Sequence, residues 1–197
     1  MPVLAMKNEA SNLAYYEAEK GIGVLAPLGW HCFETYGSGG EALYVTPQTI
    51  DARKIFSDGP GIADGPGIEV GYSFAGTSGR FEVAQIIARV FPAYQSFVGE
   101  VMKEPGIHPF PSGPYPKDEL VYRSDALVEY RTPANTEGLG TRSWLTKGSL
   151  PIEGAAVLIG DEHDLSLLSV RLPAELHGMT ATIVRQFERD ASHCPCD

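Results

Sequence analysis

Ile68, Val70, Tyr72 and Phe74 alternate with Glu69, Gly71 and Ser73, a two-residue period that predicts a strand with one buried face. On that reading the four apolar residues enter the core, while Glu69 and Ser73 stay more exposed. Gly76-Thr77-Ser78-Gly79 follows. Beyond it Val83, Ala84, Ile86, Ile87, Val90 and Phe91 cover most of the circumference of a helix, which predicts deep burial. Pro92 interrupts that pattern because it has no N–H and clashes with the preceding turn, yet it fits the first turn of a new helix. Tyr94, Phe97, Val98, Val101 and Met102 then form a second amphipathic stripe, so two helices with a bend are expected.

Upstream, Ala10, Leu13, Ala14 and Tyr16 keep helical spacing until Gly21, which predicts a short helix over 8–20. Strands are expected over 22–26, 30–36 and 42–46, the last two joined by the turn Gly37-Ser38-Gly39-Gly40. Downstream, Pro105, Pro109, Pro111, Pro114 and Pro116 make 104–117 an extended loop, either a rigid cover or a ligand-facing lid carrying His108, Phe110 and Tyr115. Strands over 120–124 and 126–131 precede an irregular stretch over 132–149. A hairpin of 155–159 and 165–172 then turns around Asp161-Glu162-His163-Asp164. Pro173 opens a last helix whose apolar face is Leu176, Met179, Ile183, Val184, Phe187 and Ala191. Strands that come in adjacent pairs imply an α+β fold: a mainly antiparallel sheet packed by helices, an α-β-α sandwich.

The 197 residues suit a single domain over 1–197, with the proline-rich loop at 104–117 lying over one core. A net charge of -10, from 25 acidic against 15 basic residues, repels a phosphate backbone or an anionic leaflet, so nucleic acid is not an expected partner. No apolar run approaches the roughly 18 residues of a membrane span, so a soluble chain is expected, and Met1 to Lys20 lacks the pattern of a signal peptide.

The strand ending in Pro27-Leu28-Gly29-Trp30, then a hairpin, a strand, a central helix, further strands and a terminal helix follow an order that resembles PsbP-like domains. The proline-rich loop and the second middle helix depart from the simplest version of that order. The resemblance implies an α-β-α sandwich that serves as a binding or accessory domain, and it brings no catalytic residues with it.

The strand-to-helix turn Thr77, Ser78, Gly79 and Arg80 is the leading ligand candidate, because free N–H groups and a guanidinium there suit an anion. The same residues also read as an ordinary cap and turn. Ser78 with Asp161 or Asp164 and His177 sketches a hydrolase triad, but Arg80 stands where a nucleophile elbow needs glycine. His31 and Cys32 with His193, Cys194 and Cys196 offer zinc-type ligands, at spacings that fit poorly. Asp161-Glu162-His163-Asp164 reads as a solvated turn, and no metal or cofactor is expected. Asp58 and Asp64 repeat within Asp-Gly-Pro-Gly-Ile, which is either a duplicated turn or a calcium- or partner-binding loop. Cys32 is either a small unpaired thiol or a disulfide partner of Cys194 or Cys196, and a bridge would favour a periplasmic or secreted location. Without a complete catalytic set, the expected function is a non-enzymatic exported domain binding a partner protein or small ligand. The alternative is a small enzyme acting on an anionic substrate near Ser78 and Arg80.

Overall fold

The computed structural model describes residues 12–19, 21–50 and 65–192. In chain order these form β1 (Leu13–Glu17), β2 (Gly23–Pro27), β3 (His31–Gly37), β4 (Gly40–Thr46), β5 (Gly67–Ser73), α1 (Arg80–Val90) and α2 (Gln95–Val101). Then come β6 (Glu119–Ser124), β7 (Leu127–Thr132), β8 (Ile152–Ile159), β9 (Asp164–Arg171) and α3 (Thr180–Ser192). Seven strands make one antiparallel sheet in the order β3-β4-β5-β9-β8-β7-β6, while β1 and β2 pair with each other. The expected α+β class, an antiparallel sheet packed by helices, is the one found.

Both faces of the large sheet carry apolar layers. Val70, Ala155, Leu168 and Val170 pack against Leu25 and Ala26 of the small hairpin and against Ile183, Val184 and Phe187 of α3. On the other face Val128, Ala156, Leu158 and Leu165 meet Val83, Ile86, Ile87 and Phe91 from α1 and its end. Each Val, Leu, Ile or Phe among them contributes about 1.5–3 kcal/mol when fully buried.

Pro92 divides the helices as expected: α1 stops at Val90, a 3-10 turn spans Pro92–Tyr94, and α2 begins at Gln95. The segment 104–117 has no helix or strand. It is tied to α1, since Gly113 N–H donates to Ala88 O at 2.9 Å and the Arg89 guanidinium lies 4.2 Å from the centre of the Tyr115 ring. Those contacts make it a cover on the core.

Three expectations change. The segment around Leu13–Glu17 is a strand and not a helix, with Tyr16 hydroxyl donating to Pro27 O at 3.0 Å. Gly21, at φ 98°, belongs to the hairpin turn, where a left-handed backbone favours glycine, and does not stop a helix. Pairing with β2 overrode a helical spacing that only four residues supported. Glu69 is buried and not exposed, because the sheet is covered on both faces at that point. The last helix starts at Thr180, with 3-10 turns over Ala174–Met179 between it and Pro173. The Asp58 and Asp64 repeat, His193, Cys194 and Cys196 lie outside the described residues, and Cys32 is an exposed free thiol on β3.

Candidate functional site

The turn from β5 into α1 is closed by its own residues. Thr77 Oγ1 donates to Phe74 O at 2.9 Å and accepts Gly79 N–H at 3.2 Å. A Cβ on Gly79 would lie 2.0 Å from Gly39 O, so glycine is required there by close backbone approach. The Arg80 guanidinium is committed on three nitrogens: Nε to Glu104 Oε1 at 2.6 Å, Nη2 to Glu104 Oε2 at 2.8 Å, and Nη1 to Thr77 O at 2.7 Å. An anion arriving here would meet a guanidinium already neutralised by Glu104.

Ser78 is exposed and, among the described residues, hydrogen-bonds to no histidine or carboxylate through its side chain. Asp164 accepts Ala75 N–H at 2.6 Å and the Tyr72 hydroxyl at 3.2 Å, and His163 stacks edge-on to Tyr94 at 4.8 Å. His177 pairs with Glu153 at 3.2 Å. Glu153 lies opposite Val170, six residues along β9 from Asp164, a separation of roughly 20 Å at strand spacing. Ser78, Asp164 and His177 are therefore not brought together. Among the described residues no group of three or more His, Cys, Asp or Glu is arranged to hold a metal ion.

The register of the sheet builds a different site on the α1 side. One rung across the strands is Phe33, Tyr44, Glu69 and Ser169; the next is Thr35, Ala42, Gly71 and Leu167; the third is Gly37, Gly40, Ser73 and Leu165. On β3, β4 and β5 the first rung is bulky and the next two are small. The small rungs form the floor of a groove of about 360 Å³, walled by Glu82 of α1 and by Arg142 and Trp144. A Cβ added to Gly71 would find nothing within 4 Å, which places the empty space directly above the middle of β5. Arg142 arches over one side, its Nη2 donating to Glu82 Oε2 at 2.7 Å and Gln85 Oε1 at 3.0 Å. Neither bond uses its Nε or Nη1.

The inner end of the groove is polar but desolvated. Glu69 is only 7% exposed, and its Oε2 accepts the Trp144 backbone N–H at 2.6 Å. No hydrogen bond is made by its other oxygen among the described residues, and Glu69 is one of the residues that line the groove. Burial, and to a lesser degree the charge of Glu82, pushes the Glu69 carboxyl up to about 8. It is neutral at pH 7 and can donate a hydrogen bond. Tyr44 stands beside it, edge-on to Trp144 with ring centres 5.7 Å apart, and burial followed by the Glu69 charge pushes its hydroxyl well above the ordinary phenol range. The groove thus offers a carboxyl donor, guanidinium N–H groups, the Ser73 hydroxyl and an aromatic wall.

A second groove, of about 380 Å³, lies on the α3 side of β6, β7 and β8. Its charges are spent on one another: Arg123 bonds Glu129 at 2.6 Å, and Arg131 bonds Glu119 and Glu153 at 3.1 Å each. Glu188 beside it is pushed up to about 7 by burial, then by the Glu129 charge. A ligand there would have to displace ion pairs, although Glu188 Oε1 beside it is buried without a hydrogen-bond partner among the described residues; the Gly71 groove differs in the open space above its glycine.

Sequence reasoning missed Tyr44, Glu69, Arg142 and Trp144. The available signal was Gly71, a glycine inside a strand between Val70 and Tyr72, both good strand formers. Compared with protein-family models, curated proteins and solved structures, the chain finds no match in any of the three. The resemblance to PsbP-like domains accordingly rests on element order and assigns no residue a role.

Proposed function

We propose that this chain is a non-enzymatic binding domain and that a small ligand bearing hydrogen-bond acceptors occupies the groove above Gly71. The observation that carries this reading is the empty floor at Gly71 beside Glu69, a buried carboxyl that lines the hollow. A carboxyl whose titration is strongly perturbed by burial and that lines a cleft is a candidate ligand contact. The volume sits at the small end of the range for ligand sites, enough for a compound of metabolite size. The Arg142 N–H groups and the protonated Glu69 would address acceptors, Ser73 would address either type of group, and the Trp144 and Tyr44 rings would cover an apolar edge.

A panel of small carboxylates, amines and neutral sugars, each titrated into isotope-labelled protein at pH 6.5, tests this. The expected result is that an acceptor-bearing compound shifts the backbone amides of Gly71, Ser73 and Trp144 and leaves those of Ser78 and Arg80 in place. Shifts confined to 76–80 would favour the anionic-substrate alternative and overturn this assignment.

A further inference from the structure

The outer edge of β6 ends the large sheet, and among the described residues no strand covers it. Such an edge presents a row of backbone groups ready to pair. It also exposes apolar side chains, with Val121 46% and Tyr122 49% accessible. The sequence of the strand is Glu119-Leu120-Val121-Tyr122-Arg123-Ser124. We infer that β6 pairs antiparallel with β6 of a second copy of this chain about a two-fold axis at Val121, joining the two sheets edge to edge. This inference is independent of the groove.

The register follows from symmetry. Residues opposite each other in an antiparallel pair point to the same face, and a two-fold axis normal to the sheet keeps faces unchanged. Opposed residues must therefore be separated by an even number, so the axis passes through a residue. An axis at Leu120 sets Glu119 against Val121, and one at Tyr122 sets Val121 against Arg123; both bury a charge against an apolar group. An axis at Val121 sets Glu119 against Arg123, Leu120 against Tyr122, and Val121 against its symmetry mate. Every opposed pair is then complementary in charge or apolar character, the kind of pairing that stabilises sheets.

The surrounding charges continue the pattern. Arg123 bonds Glu129, and Arg131 bonds Glu119 and Glu153, all on the α3 side of the sheet. Across the joined edge the order Glu153, Arg131, Glu119, Arg123, Glu129 alternates in sign without a break. The register shift between Tyr122 and Ser124 falls on Arg123, which has no Cα partner on β7, so the regular ladder of β6 spans 119–122 and the Glu119–Arg123 pair lies at its bulged end. A contact this short makes a weak dimer.

Sedimentation equilibrium at about 0.15 M salt, where the repulsion from a net charge of -10 on each copy is screened beyond roughly 8 Å, tests the inference. The wild type is expected to show a concentration-dependent dimer. Glu119→Arg and Arg123→Glu each place like charges together and should weaken it about tenfold or more, while an equimolar mixture of the two variants restores both opposed pairs and should dimerise. Val121→Lys, at an exposed position, sets two ammonium groups across the axis and should also give monomers, with circular dichroism unchanged. A wild type that stays monomeric up to its solubility limit, or a mixture no more associated than its components, would overturn the inference.

Discussion

The α1 face of the sheet has two halves built from the same strands' alternation, yet one is filled and the other is hollow. Over β7, β8 and β9, Val128, Ala156, Leu158 and Leu165 interlock with Val83, Ile86, Ile87 and Phe91, and the proline-rich segment closes the outside. Over β3, β4 and β5, the equivalent positions are Thr35, Ala42, Gly71 and Ser73, and α1 lines the space above them only through Glu82. A period-two pattern specifies which face a residue joins, but the volume of the residue and the reach of the covering element decide whether that face becomes core or cavity.

Substitutions in the two halves should have opposite signs, and the largest effect belongs to the filled one. Phe91→Ala removes a fully buried ring from a packed layer and should destabilise by about 3–5 kcal/mol. Urea denaturation measures this, and a loss under about 1 kcal/mol would mean that the filled half is looser than its contacts indicate.

The next effect comes from Glu69 at the boundary between the halves. Its carboxyl is raised to about 8 in the fold, from 4.5 in the unfolded chain. Below pH 4.5 both states hold the proton; between 4.5 and 8 the unfolded chain releases it while the folded one does not. The stability contributed by the neutral acid is therefore full in acid and lost as pH rises to 8, by a few kcal/mol at most. Glu188, raised to about 7, acts in the same direction. Glu69→Gln keeps the shape without the titration, so its stability relative to wild type should climb from pH 5 to pH 8. A difference independent of pH would remove the buried neutral acid from the account.

Much of the fold was legible in the sequence. The continuous apolar circumference of α1, the stop at Pro92, the hairpin of β3 and β4 and that of β8 and β9 all follow from local spacing, and local backbone rules suffice for them. The helix expected over 8–20 failed because its few apolar positions serve a strand equally well once β2 supplies a partner. Glu69 failed for another reason. Its neighbour in the fold is the Trp144 backbone, 75 residues away in an irregular segment whose path no periodicity encodes. The turn at Thr77–Arg80 was visible as a turn, but the distant Glu104 that occupies Arg80 was not. Candidate chemistry was read from residue types known to act together, such as Ser78, Asp164 and His177, whereas the groove is assembled by register and by the path of an irregular segment, from β3, β4, β5, β9, α1, Arg142 and Trp144.

The smallest stability effect carries the most direct test, through Gly71→Val. The glycine is not held in a left-handed backbone and its added Cβ would touch nothing within 4 Å, so valine fits without strain and suits a strand. If the hollow is kept for a ligand, Gly71→Val should gain about 1 kcal/mol of stability, or about 2–4 °C in Tm, while abolishing the amide shifts that the titrated compound causes at Ser73 and Trp144. A variant that binds the compound as wild type does, or that loses stability because the space was already filled, would contradict the assignment of the groove as the binding site.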